Sequence, residues 1–169
     1  PTKHRLYNWF AVMGIHDNDD STPNKDFAPE GWHIPNSDEW TTLINHLINN
    51  GYGTFQWQTD ILAKSMASAT GWLCELPETS ANGDWSIGQY NTSGFNAFSL
   101  GYRNGYNPNG YSGISTGVGG STFFWSLSEY YEDADYWLSS SLNIQCDYNT
   151  VQIGTSRKSQ GLSIRLVKD

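Results

Sequence analysis

Residues 123–169 read FFWSLSEYYEDADYWLSSSLNIQCDYNTVQIGTSRKSQGLSIRLVKD. From Tyr136 to Cys146 the even positions include Tyr136, Leu138, Leu142, Ile144 and Cys146. The odd positions are Trp137, Ser139, Ser141, Asn143 and Gln145. Alternation of this length has the period of a β-strand, and a strand apolar on one side and polar on the other is half-buried at a sheet surface. The expectation is a strand over 136–146 whose polar side faces solvent. Asp147-Tyr148-Asn149-Thr150 has turn chemistry and returns the chain to a strand containing Val151 and Ile153. Leu162, Ile164 and Leu166 alternate with Ser163, Arg165 and Val167 in a last strand. Phe123–Ser126 open the same sheet.

The candidate ligand-binding residues lie on and around that polar side. They are Tyr130, Tyr131, Tyr136, Trp137, Asn143, Gln145, Tyr148, Asn149 and Gln152. Rigid amphipathic rings mixed with small hydrogen-bonding groups make adaptable recognition surfaces. Such rings stack on sugars or anchor a protein hot spot. Binding is therefore the expected activity, at a pocket-free face without converging titratable groups.

Upstream, RLYNWFAVM (5–13) reads as a strand ending at Gly14. The following loop carries Asp17, Asp19, Asp20 and Asp26. Calcium takes oxygen ligands, but the spacing lacks the Gly at six and Glu at twelve of an EF-hand, so the reading is a solvated acidic loop. Asn36 followed by Glu39 is a capping box, entered from Pro35. Trp40, Leu43, Ile44, Leu47 and Ile48 then mark one apolar helix face, stopped by Asn49, Asn50 and Gly51. TDILAKSMASAT (59–70) predicts a shorter helix with Ile61, Leu62, Ser65 and Met66 on one face, capped by Thr59 or Asp60 and ended by Gly71. Residues 72–96 are irregular, FNAFSLGYR (95–103) resumes strand character, and 104–121 are rich in turn residues. The fold class is α+β in one domain over 1–169: two helices packed on a small, mostly antiparallel sheet with long loops.

Composition narrows the function. The net charge is -8 and the few basic residues are scattered, which argues against nucleic acid as a partner. Aromatics are 15% and charged residues only 15%, with 10 Tyr, 8 Trp and 17 Gly, a balance that suits an extracellular, loop-rich binding fold. No run of about 18 apolar residues predicts a membrane span. The chain opens at Pro1 without a leader-like segment, and reads as a mature protein or one domain of a longer one. Cys74 and Cys146 form no CxxC, and either one disulfide or two buried thiols fits them.

The chemistry of known catalytic motifs is missing: no GxSxG, HExxH, phosphate loop or dinucleotide-binding glycines. Glu129, Glu132, Asp133 and Asp135 cluster, and read as a solvated acidic loop rather than a glycosidase pair. His33 reads as a satisfied structural histidine and His46 as a surface residue. Arg165 is expected to pair with a carboxylate, and Trp32, Trp40 and Trp125 to be core. Catalytic residues, metal ligands and cofactors are all expected to be none.

RLYNWFAV, GWHIPNSDEWTTL, SGFNAFSLGYRN, FFWSLSEY and GLSIRLVKD, in that order, resemble the Fibrobacter succinogenes major paralogous domain over nearly the whole chain. That resemblance implies a C-type lectin-like fold of the formylglycine-generating-enzyme type, with the N- and C-terminal strands adjacent. It implies a surface, secreted or lipoprotein location in bacteria and a glycan or protein ligand on another cell or surface. The chain also resembles the variable proteins of diversity-generating retroelements, with Trp125–Glu129 and Gly161–Arg165 bracketing the displayed face. Departures limit what carries over. Ala28 and Leu166 stand where the family usually has cysteines. The catalytic cysteine pair of formylglycine-generating enzymes is not reproduced, nor are the calcium-lectin sugar motifs. A structural cell-surface or fimbrial module, and an oxidase or carbohydrate hydrolase, are the other readings.

Overall fold

The computed structural model describes residues 4–15, 17, 19, 21–55, 58–59, 61–73, 90–105, 113–129, 137–146 and 151–169. Among the described residues are three helices, α1 (Trp9–Val12), α2 (Ser37–Asn49) and α3 (Leu62–Met66). The strands are β1 (Trp32–His33), β2 (Thr54–Phe55), β3 (Gln58–Thr59), β4 (Tyr102–Arg103), β5 (Ser115–Thr116), β6 (Ser121–Glu129), β7 (Leu138–Gln145), β8 (Gln152–Arg157) and β9 (Val167–Lys168). β6, β7 and β8 form an antiparallel sheet in chain order, while β1 pairs with β9, β2 with β3 and β4 with β5. Few helices and several small antiparallel sheets among the described residues fit a mixed α+β or mostly β class.

The three-stranded sheet divides the core. Phe124 faces Leu142 across the ladder, and Leu142 faces Ile153. Successive side chains point to opposite faces, so Phe124, Leu142 and Ile144 share one side and Trp125, Ser139 and Ser141 the other. On the first side Trp40, Leu47, Met66, Phe124, Leu142 and Ile144 pack together. On the second, Trp9, Val12, Ile34, Trp125 and Leu162 do so. Each large apolar side chain fully buried in this way is worth about 1.5–3 kcal/mol.

α2 forms where its sequence dictates. The Asn36 side chain accepts the Glu39 N–H and the Glu39 carboxylate accepts the Asn36 N–H, both at 2.9 Å, completing the capping box. Gly51 follows the helix with φ +83°, a conformation open to glycine. Trp40 and Leu47 are buried and Leu43 and Ile44 pack beside them, but Ile48 is exposed. The buried stripe is thus one residue narrower than the periodicity.

Several expected elements differ. The predicted strand over 5–13 is a single bridge, Tyr7 to Leu162, followed by α1. Asn8 redirects it: its side chain accepts the Ala11 N–H at 2.9 Å and starts a helical turn. The second helix is only five residues long. It begins without a side-chain cap, Thr59 belongs to β3, and Ala67 leaves the helix to bridge Ala97 well before Gly71. FNAFSLGYR forms a strand only at β4, because Asn96 takes φ +58° and Gly101 φ +63°. A Cβ at Gly101 would lie 2.0 Å from the Thr116 carbonyl oxygen, so the chain passes β5 there too closely for any side chain. The last strand is split into bridges at Gly161, Leu162 and Ser163, and then β9. Trp32, expected in the core, is 44% exposed, while Trp40 and Trp125 are buried as expected.

The polar side of β7 is the largest departure. Ser139 and Ser141 are completely buried rather than solvent-facing. The core of Trp9, Trp125 and Leu162 covers that side, and Ser156 of β8 lies opposite Ser139. A buried polar side is tolerable because its hydroxyls have partners.

Candidate recognition surface

The candidate residues divide into described and undescribed ones. Tyr130, Tyr131, Tyr136, Tyr148 and Asn149 lie outside the described residues, as do Asp20, Asp60, Cys74 and the turn at 147–150. Trp137, Asn143, Gln145 and Gln152 can be placed. Trp137 immediately precedes β7 and is 61% exposed. Asn143 and Gln145 are half-buried near the other end of the strand, and exposed Gln152 is the partner of Asn143 across the ladder. Six residues of extended chain separate Trp137 from Asn143, about 20 Å. The predicted surface is therefore two patches, with buried serines between them.

The serines connect those patches. Ser139 Oγ donates to the Ser128 carbonyl at 3.1 Å. Ser141 Oγ donates to Asn143 Oδ1 at 2.9 Å and lies 2.9 Å from Ser156 Oγ. A hydroxyl has one hydrogen to give, so Ser156 must donate to Ser141. The resulting chain, Ser156 to Ser141 to Asn143, turns the Asn143 carbonyl inward and leaves its NH2 as the group to present. Gly154 makes room for it: a Cβ there would sit 2.9 Å from Asn143 Nδ2. Asn143 is thus held in one orientation from below and from the side. The sequence singled out Asn143 but not Ser156 or Gly154, whose roles depend on the β7–β8 register.

Trp137 is fixed through its backbone. Its carbonyl accepts the Lys158 N–H at 2.6 Å, and the Lys158 carbonyl accepts the Trp9 N–H at 3.0 Å. The Lys158 ammonium lies 4.1 Å from the centroid of the Trp9 ring. An exposed indole is therefore carried on a rigid edge. None of Trp137, Asn143, Gln145 and Gln152 titrates near neutral pH, so these side chains can stack and hydrogen-bond but cannot move protons.

A cleft of about 470 Å³ opens elsewhere, between the end of α1, residues 24–34 and Leu127. Phe27 and exposed Trp32 line it, with Asp26 and Glu30 at its polar edge. Its volume lies within the roughly 300–1,000 Å³ of small-molecule sites. Nothing in the residue pattern points to it, since Trp32 reads as core.

The family model of the Fibrobacter succinogenes major domain matches residues 2–168. The chain belongs to this family. No curated protein and no solved structure matches it.

In this Fibrobacter succinogenes major domain the motif residues hold the scaffold. Trp125 Nε1 donates to the Tyr7 carbonyl at 2.7 Å, tying β6 to the N-terminal segment. His33 bridges two carboxylates: Nδ1 lies 2.6 Å from Asp169 Oδ1 and Nε2 lies 2.7 Å from Glu39 Oε1. The hydrogen bond to Asp169, then that to Glu39, raises the His33 pKa above its ordinary value. The Asn36 N–H, followed by His33, holds Glu39 below the usual carboxylate value. The capping-box glutamate thereby also clasps β1 and the segment after β9. Arg165 finds no carboxylate among the described residues, contrary to expectation. Its Nη2 donates to the Phe95 carbonyl and its guanidinium lies 4.4 Å from the centroid of the Phe95 ring. Burial alone lowers its pKa.

In the acidic loop, Asp17 accepts the Asp19 N–H and Asp19 accepts the Ser21 N–H and hydroxyl. These bonds fold the loop locally, and Ser21 lowers the Asp19 pKa. No group of three or more potential metal ligands converges among the described residues. No helix among them is long and apolar enough to cross a membrane. Cys146 is a free, half-buried thiol beside the α2 core.

Proposed function

We propose that the chain is a non-catalytic recognition domain with a C-type lectin-like fold, on a bacterial surface or secreted protein. It binds a glycan or a protein through Trp137 and the Asn143–Gln145–Gln152 patch, together with Tyr130, Tyr131, Tyr136, Tyr148 and Asn149. Trp137 carries the reading. An indole 61% exposed to water, on a backbone fixed by the Lys158 hydrogen bond, is a poor contributor to folding and a good binding anchor. The pre-set Asn143 amide supplies a directional polar contact, at little ordering cost on binding. The C-type lectin-like assignment draws support from the pairing of Tyr7 with Leu162 near the two termini, and from α2 packed on the three-stranded sheet.

A glycan array, run beside a panel of purified surface proteins, tests this. Trp137→Ala and the triple variant Tyr136→Ala/Asn143→Ala/Tyr148→Ala should each lose the ligand that the parent binds while keeping its thermal transition. Retained binding by both variants would put the ligand elsewhere.

A further inference from the structure

A second concavity lies beside β6, where Ser163 bridges Phe124. It holds about 240 Å³ and is lined by His4, Arg5, Asn96, Phe98, Ser163 and Arg165, among others. Two arginines lining one small pocket are unexpected in a chain of net charge -8. Arg165 is half-buried and its only hydrogen bond to the described residues goes to the Phe95 carbonyl. A guanidinium has five N–H donors, so most of its capacity is unspent. Exposed Arg5 has no carboxylate partner either among the described residues. Ser163 is 5% exposed and its hydroxyl is buried with no hydrogen-bond partner. Buried polar groups are rarely left so, and a half-buried cation with no anion beside it carries part of the desolvation cost of a buried one.

We propose that this pocket binds a sugar acid, its carboxylate taken by Arg165 and Arg5. Arginine forks match the two oxygens of a carboxylate. The volume exceeds what a bare inorganic anion fills, and the walls suit a sugar ring. Phe98 is exposed, and its ring lies 4.9 Å from that of His4 at a tilt of 36°, giving an aromatic wall. The Asn96 amide supplies partners for ring hydroxyls. The site is distinct from the Trp137 surface and does not depend on it.

The test is a calorimetric titration of the whole chain at low salt with glucuronate, N-acetylneuraminate, glucose and sodium sulfate. Binding of at least one sugar acid, with glucose inert, is expected. Arg165→Gln should weaken it about tenfold or more, and Arg5→Gln, at an exposed position, about two- to fivefold. Trp137→Ala should leave it unchanged, which separates this site from the proposed recognition surface. A methyl glycoside of glucuronate that binds as well as the free acid assigns the site to a glycan end; loss on methylation assigns it to the free sugar acid. The proposal fails if neither sugar acid binds, or if Arg165→Gln and Arg5→Gln both bind like the parent. Sulfate binding as tightly as glucuronate also overturns it, in favour of a bare anion site.

Discussion

The two sides of β7 are built from the same strand and close in opposite ways. On one side Leu142 and Ile144 meet Trp40 and Phe124 in an apolar core. On the other, Ser139 and Ser141 are equally buried but are held by hydroxyl hydrogen bonds under Trp125 and Trp9. The apolar side gains from area removed from water and is indifferent to direction. The serine side gains little net energy per bond but fixes directions, and it is there that Asn143 emerges. One side supplies stability and the other supplies orientation.

That contrast predicts a graded set of losses. The largest belongs to the apolar side. Leu142→Ala should cost about 2–5 kcal/mol in urea unfolding, because the sheet and α2 cannot collapse around the cavity. A cost as small as that of a serine substitution would erase the contrast. Ser141→Ala should cost about 1–3 kcal/mol, since Ser156 and Asn143 lose their shared partner. Removing Ser141 and Ser156 together should cost less than the sum of the single changes, because no orphaned hydroxyl remains between them. Gly154→Ala sharpens the point further: it should unfold the chain little, yet displace the Asn143 amide and weaken ligand binding.

A smaller effect lies at the edge of the second core, where His33 clasps Glu39 and Asp169. Its folded-state pKa is raised above the ordinary value of about 6.5. Its stabilisation is therefore fully present below that value and fades as pH rises through the folded value. Glu39 has the opposite sign: its pKa is lowered from about 4.5, so its contribution is present above that value and fades in acid. The clasp should be strongest between those two pH values. Thermal melts of the parent and His33→Gln should converge as pH rises above neutrality; parallel curves across that range would show that the clasp adds nothing.

Local chemistry was legible in the sequence where it acts over a few residues. The capping box at Asn36 and Glu39 and the Gly51 stop set α2 without outside help, and five ordered motifs identified the family. Elements that depend on distant partners were not legible. Asn8 diverts an apolar run into α1 because Tyr7 is already paired with Leu162, 155 positions later. Alternation located the two sides of β7 correctly but not their exposure. A serine stripe reads the same whether water or another layer covers it, and here the layer came from Trp9 and Leu162. Trp137, Asn143, Gln145 and Gln152 were legible as a polar series, whereas their division into two patches follows from that covering. The Arg5–Arg165 pocket was invisible because its walls come from both ends of the chain and from residues 96–100.

The most direct test of the central claim is ligand binding by Trp137→Ala compared with the parent, with unfolding free energy measured on the same samples. The expected result is lost binding and a stability change within about 0.5 kcal/mol, as for an exposed side chain outside the core. Unchanged binding, or a loss of several kcal/mol in stability, would mean that Trp137 serves the fold and that recognition, if any, happens elsewhere.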